Sequence, residues 1–212
     1  MFIFFSCTKP KSDPVYRKVS TNFMRSGGTG GANTNASGKP FEECFRPIGT
    51  HDIGGTRFTY LHQDQFVEYM KDLKDPYWNH KKKPDGALIS DDKKTLFIIE
   101  CKHQIVTGSV DEKLRAGPCL LEEYKQLYPS VKNVHMMFIV NHWWFGRQKK
   151  YEIPIAFNEK FGIPVFFAKQ VGSAWRVHIQ RNNDKWTFYP AFYGVDQDAI
   201  FDWMAKRVLL SS

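Results

Sequence analysis

Two apolar runs with a helical stretch between them restrict the folds open to this chain. Thr95-Leu96-Phe97-Ile98-Ile99 is short, rich in β-branched and aromatic residues, and follows the turn-like Asp91-Asp92-Lys93-Lys94, so it reads as a buried strand. Val134-His135-Met136-Met137-Phe138-Ile139-Val140 reads as a second, central one. Between them, the stretch from Pro118 to Tyr128 opens on proline, repeats apolar residues on one face and stops before Pro129, as a helix does. Strand, helix, strand is the crossover unit of a parallel pair, and its hand is right. A further strand is expected at Gly86-Ala87-Leu88-Ile89-Ser90, joined to the first run by a hairpin. The expected class is therefore α/β, with a mixed central β-sheet flanked by helices.

That hairpin has a chemical consequence. It brings Asp85 beside Glu100, and strand alternation puts Glu100 and Lys102 on one face while the Cys101 side chain turns into the packing. Two carboxylates and the Cys101 carbonyl then converge. Hard oxygen donors of this kind suit Mg²⁺, which binds through one or two carboxylates, retained waters and substrate phosphate. Lys102 stands next to the water bound there.

These residues, Pro84-Asp85 followed by Glu100-Cys101-Lys102, resemble the signature of the PD-(D/E)xK nuclease superfamily. The resemblance runs over roughly residues 40 to 140. It extends to Gln104, giving Glu-x-Lys-x-Gln on one strand, and to Gly108-Ser109-Val110-Asp111-Glu112-Lys113, which looks like the start of the helix that follows in type II restriction endonucleases. It implies a restriction-endonuclease-like sheet, Mg²⁺ held by Asp85, Glu100 and the Cys101 carbonyl, and Lys102 orienting or helping to deprotonate the attacking water. Gln104 is expected to fix the lysine or contact the backbone. Several restriction enzymes of this superfamily carry an extra glutamate on a preceding helix. Gly38-Lys39-Pro40-Phe41-Glu42-Glu43 reads as a helix start, and Glu42 is the choice for that position, with Glu43 close behind.

A formal net charge of +8 adds a preference for polyanions, because lysines and arginines release counterions from nucleic-acid phosphates. The basic run Lys81-Lys82-Lys83 directly precedes Asp85 and is expected on the phosphate backbone, with Lys39 and Lys113 as further contacts. The glycine-rich stretch at about 26–38 has no apolar periodicity and reads as a flexible arm. Its Asn33 and Asn35 carry paired donors and acceptors suited to adenine edges. In the last third, Ile163 to Ala168 reads as a strand. Trp175 to Ile179 and Lys185 to Tyr189 read as a hairpin whose tip, with Arg181, Asn182 and Asn183, is a candidate groove reader or an ordinary polar turn. Ile200, Met204 and Val208 place a closing helix, and Phe66, Met70 and Leu73 another from Gln63 to about Leu73.

Other chemistry finds no support. Cys7, Cys44, Cys101 and Cys119 form no Cys-x-x-Cys pair, so neither a zinc ribbon nor a disulfide framework is expected, and reduced thiols suit a cytoplasmic setting. The histidines form no zinc motif, and Asn141-His142 lacks the partners of a His-Asn-His finger. There is no Gly-x-Ser-x-Gly elbow. Trp143-Trp144-Phe145 could stack on bases, but large aromatics following a buried strand are more often core, and the core is the expectation. The apolar Met1-Phe2-Ile3-Phe4-Phe5 is far short of the roughly 18 residues of a membrane span and reads as a packing or dimer arm. The expectation is a single nuclease domain over 1–212, a Mg²⁺-dependent, sequence-specific endonuclease of double-stranded DNA. A two-fold homodimer would cut palindromes. The alternatives are a repair or junction-resolving nuclease and a catalytically inactive DNA-binding module.

Overall fold

A computed structural model describes residues 41–42, 49–77, 82–104, 110–171, 174–180, 186–189 and 198–211. One eight-stranded sheet runs through them, with its strands in chain order. β1 (Thr50–Ile53) and β2 (Thr56–Leu61) form a hairpin, and β2 pairs antiparallel with β3 (Gly86–Ser90). The next strand, β4 (Thr95–Lys102), is antiparallel to β3 and parallel to β5 (Asn133–Asn141). β6 (Val165–Val171) adds in parallel, and β7 (Ala174–Gln180) and β8 (Trp186–Tyr189) close the sheet in antiparallel fashion. The sheet is thus mixed and flanked by helices, as expected, with the crossover from β4 to β5 made by α2 (Val110–Arg115) and α3 (Gly117–Leu127).

Alternation along β4 divides the core into two faces. Leu96 and Ile98 pack with Phe66 and Met70 of α1 (Gln63–Lys71), with Tyr124 and Leu127 of α3, and with Ile155 of a later helix. Phe97, Ile99 and Cys101 face the other way, against Ile200, Met204 and Val208 of the closing helix. Each fully buried Phe or Leu of this kind contributes about 1.5–3 kcal/mol of transfer free energy. β3 and the first five residues of β4 are buried throughout, as strands covered on both faces must be.

Three features lie outside the sequence expectations. The β1–β2 hairpin turns on Gly54 and Gly55, both at positive φ (59° and 79°), the geometry of a tight hairpin turn. The short α4 (His142–Phe145) and then α5 (Glu152–Lys160) fill the crossover from β5 to β6, with Pro154 tolerated in the first turn of α5. The aromatic cluster divides. Phe145 is buried and Trp144 donates its Nε1–H to the Tyr151 hydroxyl at 2.5 Å, while Trp143 is exposed. The closing helix, α6 (Asp198–Ser211), buries the three residues that predicted it. Among the described residues, no helix is long and apolar enough to cross a membrane. The arm at 26–38 and the segment 1–5 lie outside the described residues.

Candidate active site

Register places the motif. Gly86 stands opposite Ile99, so Asp85, one residue before β3, falls beside Glu100 where the hairpin opens. Pro84 precedes it with a fixed φ and no N–H to pair. Oδ2 of Asp85 accepts the Cys101 N–H at 2.8 Å, which ties the residue before β3 to the far end of β4. Glu100 and Lys102 continue the row of Leu96 and Ile98, on the face covered by α3. The Lys102 ammonium closes the cluster, donating to Asp85 Oδ2 at 2.8 Å and to Glu100 Oε2 at 2.5 Å. All three side chains are largely withdrawn from solvent, Lys102 with 8% exposure.

The electrostatics follow from that burial. Desolvation raises the Glu100 carboxyl above the ordinary glutamate range; Lys102 pulls it back and the Asp85 charge pushes it further up. For Lys102 desolvation acts the other way, but the charges of Glu100 and Asp85 and their two hydrogen bonds outweigh it and hold the amine above the ordinary lysine range. Lys102 is therefore an ammonium between two carboxylates. With both carboxyl groups ionised the cluster carries a net negative charge in a buried place, an arrangement that a further cation relieves.

Around this centre the chain supplies supports. Gln104 is buried, and its backbone is gripped on both sides by one side chain: its N–H donates to Asn141 Oδ1 at 2.9 Å, and Asn141 Nδ2 donates to its carbonyl at 2.9 Å. The Asn141 amide thereby extends the β4–β5 pairing beyond Lys102. Glu42 is half-buried, and its charge is felt at the Cys101 thiol, whose pKa burial lifts well above the usual range. Its neighbour Phe41 packs on His103 with ring centroids 5.3 Å apart. Lys113, exposed on α2, is close enough to lower the Glu100 pKa. Sequence reasoning weighed Asn141 only for a His-Asn-His finger and missed this role, because it depends on a neighbour far along the chain.

Of the basic run, Lys82 is paired with Glu123 of α3, and Lys83 Nζ lies 2.5 Å from Asp64 of α1. Both ammonium groups are thus held by carboxylates of their own chain, and a phosphate would have to compete for them. Asn33, Asn35, Lys39, Glu43, Lys81, Arg181, Asn182 and Asn183 lie outside the described residues.

The donor set fits a hard divalent cation. Among the described residues no group of three or more His, Cys, Asp or Glu side chains stands together, so a third oxygen would come from the main chain. In a strand the N–H and C=O of one residue point toward the same neighbour. Since the Cys101 N–H reaches Asp85, the Cys101 carbonyl is directed to that side as well. Two carboxylates and one carbonyl, completed by waters, is a donor set of the kind Mg²⁺ accepts.

Residues 52–136, which include Asp85, Glu100 and Lys102, match the model of a PD-(D/E)XK nuclease superfamily domain. No curated protein and no solved structure matches the chain. The match supports a nuclease, a hydrolase acting on phosphodiester bonds, and nucleases of this superfamily generally use divalent metal ions.

Proposed function

We propose that this nuclease is a Mg²⁺-dependent, sequence-specific endonuclease of double-stranded DNA, of the type II restriction kind, acting as a two-fold homodimer. The observation that carries the reading is the Lys102 ammonium shared by Asp85 and Glu100 on one buried strand end. Asp85, Glu100 and the Cys101 carbonyl would hold Mg²⁺, which when bound neutralises the scissile phosphate and acidifies a water. Lys102, which its two carboxylate partners hold above the ordinary lysine range, would orient that water or help to deprotonate it and stabilise charge developing on the phosphate. Gln104, gripped by Asn141, holds the strand end in place so that the two carboxylates stay aligned. Glu42 contributes a further carboxylate beside Cys101.

Phosphate contacts come from Lys113 beside the site and from Lys82 and Lys83 before it, joined by Lys39 and Lys81. Asn33, Asn35, Arg181, Asn182 and Asn183 are the candidates for base readout. Cutting both strands of a palindrome requires two such sites, which is the argument for a dimer. The setting proposed is cytoplasmic.

The test is cleavage of plasmid DNA with Mg²⁺, beside the variants Asp85→Asn and Glu100→Gln. Discrete fragments are expected from the wild type. Both variants should lose cleavage by on the order of a thousandfold or more, while DNA binding measured without metal survives, since phosphate contacts elsewhere hold the duplex. Near-wild-type cutting by either variant would remove the assigned site. A preference for branched DNA would favour junction resolution, and binding without cleavage an inactive module.

A further inference from the structure

We propose that Tyr124 is the positioning residue for Glu100: its hydroxyl donates a hydrogen bond to this carboxylate when Glu100 turns to hold a divalent cation. The inference rests on the metal-dependent reading above. Tyr124 is completely buried, yet among the described residues its hydroxyl has no hydrogen-bond partner. A buried donor left unsatisfied costs free energy, and in a native fold it calls for a reason.

The geometry aims the hydroxyl at the site. Tyr124 belongs to the same packed face as Leu96 and Ile98, the row that Glu100 and Lys102 continue. α3 runs back antiparallel to β4, with its first residue at the level of Glu100. Gly117 sits so close to Phe138 that a Cβ there would lie 2.8 Å from the ring, and Phe138 is the register partner of Glu100. Tyr124 is two turns further along the helix, and helical side chains lean toward the helix N-terminus. The long phenol therefore points back up the sheet, toward the carboxylate end of β4. Lys82, three residues before Asp85, lies with Nζ 5.2 Å from the Tyr124 ring centroid, which places the ring beside the segment that delivers Asp85. The phenol pKa is raised first by burial and then by the negative charges of Glu100 and Asp85, as this placement requires.

The chemistry gives such a donor a use. In the free protein Oε2 of Glu100 is satisfied by Lys102. Once Glu100 is drawn to a cation, that bond is weakened, and carboxylates that ligate metals are in turn hydrogen-bonded by outer partners that fix them. The Tyr124 hydroxyl, buried beneath the same face, supplies this bond.

The experiment is Tyr124→Phe, which keeps the ring and deletes only the hydroxyl. Mn²⁺ is titrated calorimetrically into the DNA-free protein, and thermal unfolding is followed in EDTA. Mn²⁺ affinity is expected to fall by on the order of ten- to a hundredfold, with a melting temperature in EDTA at or above that of the wild type, because an unpaired donor has been removed. Unchanged Mn²⁺ affinity, or a variant that melts lower or fails to fold in EDTA, overturns the inference, since the hydroxyl would then have no effect or would be holding the fold. Wild-type protein that binds no Mn²⁺ overturns the metal-dependent reading itself and this inference with it; wild-type binding with an unchanged variant overturns this inference alone.

Discussion

The two ends of the β3–β4 hairpin carry the same kinds of side chain and treat them in opposite ways. At the turn, the Ser90 hydroxyl donates to Asp92 Oδ1 at 2.6 Å and accepts the Thr95 N–H at 2.9 Å, while Asp92 also accepts the Lys94 N–H at 3.0 Å. These bonds, that from Ser90 first, hold the Asp92 carboxyl below the ordinary aspartate range. At the open end, burial lifts the Glu100 carboxyl above the ordinary glutamate range. The signs follow. A depressed carboxyl such as Asp92 stabilises the fold above the ordinary aspartate pKa, and that stability is lost as pH falls through its lowered value. A raised carboxyl such as Glu100 favours the fold below the ordinary glutamate pKa, and that contribution disappears as pH rises through its raised value. At neutral pH the turn end therefore serves stability, while ionising Glu100 at the open end works against it.

The largest effect is expected when the compensating charge is removed. Lys102→Met leaves Asp85 and Glu100 buried without their shared partner, and breaking a buried pair from one side costs about 3–5 kcal/mol. The loss should be smallest at acidic pH, where Glu100 takes up a proton, and should grow as pH rises. Cleavage should fall by on the order of a hundred- to a thousandfold, the usual consequence of deleting one preorganised charge-stabilising group. Denaturant unfolding of the variant at several pH values measures the first effect, and single-turnover rates at saturating Mg²⁺ the second. A variant as stable as the wild type across that range would mean that the open end is not under electrostatic load.

The turn end should respond more mildly and without touching chemistry. Ser90→Ala deletes the bond to Asp92 and leaves the buried Thr95 N–H without its acceptor, for a loss of about 1–3 kcal/mol. Denaturant unfolding reads this directly. The cleavage rate per folded molecule should match the wild type. A tenfold drop in that rate would show that the two ends are mechanically linked along β3 and β4, and that their division of labour is less complete than the hydrogen bonds suggest.

This contrast also explains which parts of the molecule were legible in the sequence. The runs around Phe97 and Phe138 are buried on both faces, so their composition alone marks them, and Pro118 marks the helix between them. The Pro84-Asp85 and Glu100-Cys101-Lys102 pattern is local to one hairpin, so strand alternation was enough to bring its members together. The β1–β2 hairpin escaped because β1 has only four residues and β2 buries its positions without regular alternation, although Gly54-Gly55 was a turn signal in plain sight. Helix α5 escaped because Pro154 masks a helix when its place in the first turn is not recognised. Asn141 gripping Gln104, Asp64 meeting Lys83 and Glu123 meeting Lys82 are partnerships between distant segments. No spacing rule in a single sequence encodes them.

The smallest expected effect belongs to Lys83, and it sharpens the same contrast between structural and working charges. Lys83 and Asp64 meet at 2.5 Å with exposed side chains, and the pair holds the Asp64 carboxyl below its ordinary range. Exposed pairs of this kind add little to stability, so neither Lys83→Ala nor Asp64→Asn should move the melting temperature measurably. DNA binding should separate them. If Lys83 leaves Asp64 to engage a phosphate, Lys83→Ala removes one counterion-releasing contact and flattens the salt dependence of binding by roughly one unit of slope. Asp64→Asn removes the internal competitor instead, so affinity should rise modestly on every sequence while the slope stays at or above the wild-type value. Titrations of both variants on specific and random duplexes between low and moderate salt provide the reading. Equal slopes for Lys83→Ala and wild type would return Lys83 to the class of the Ser90 turn, a side chain that stays with its own chain when DNA binds.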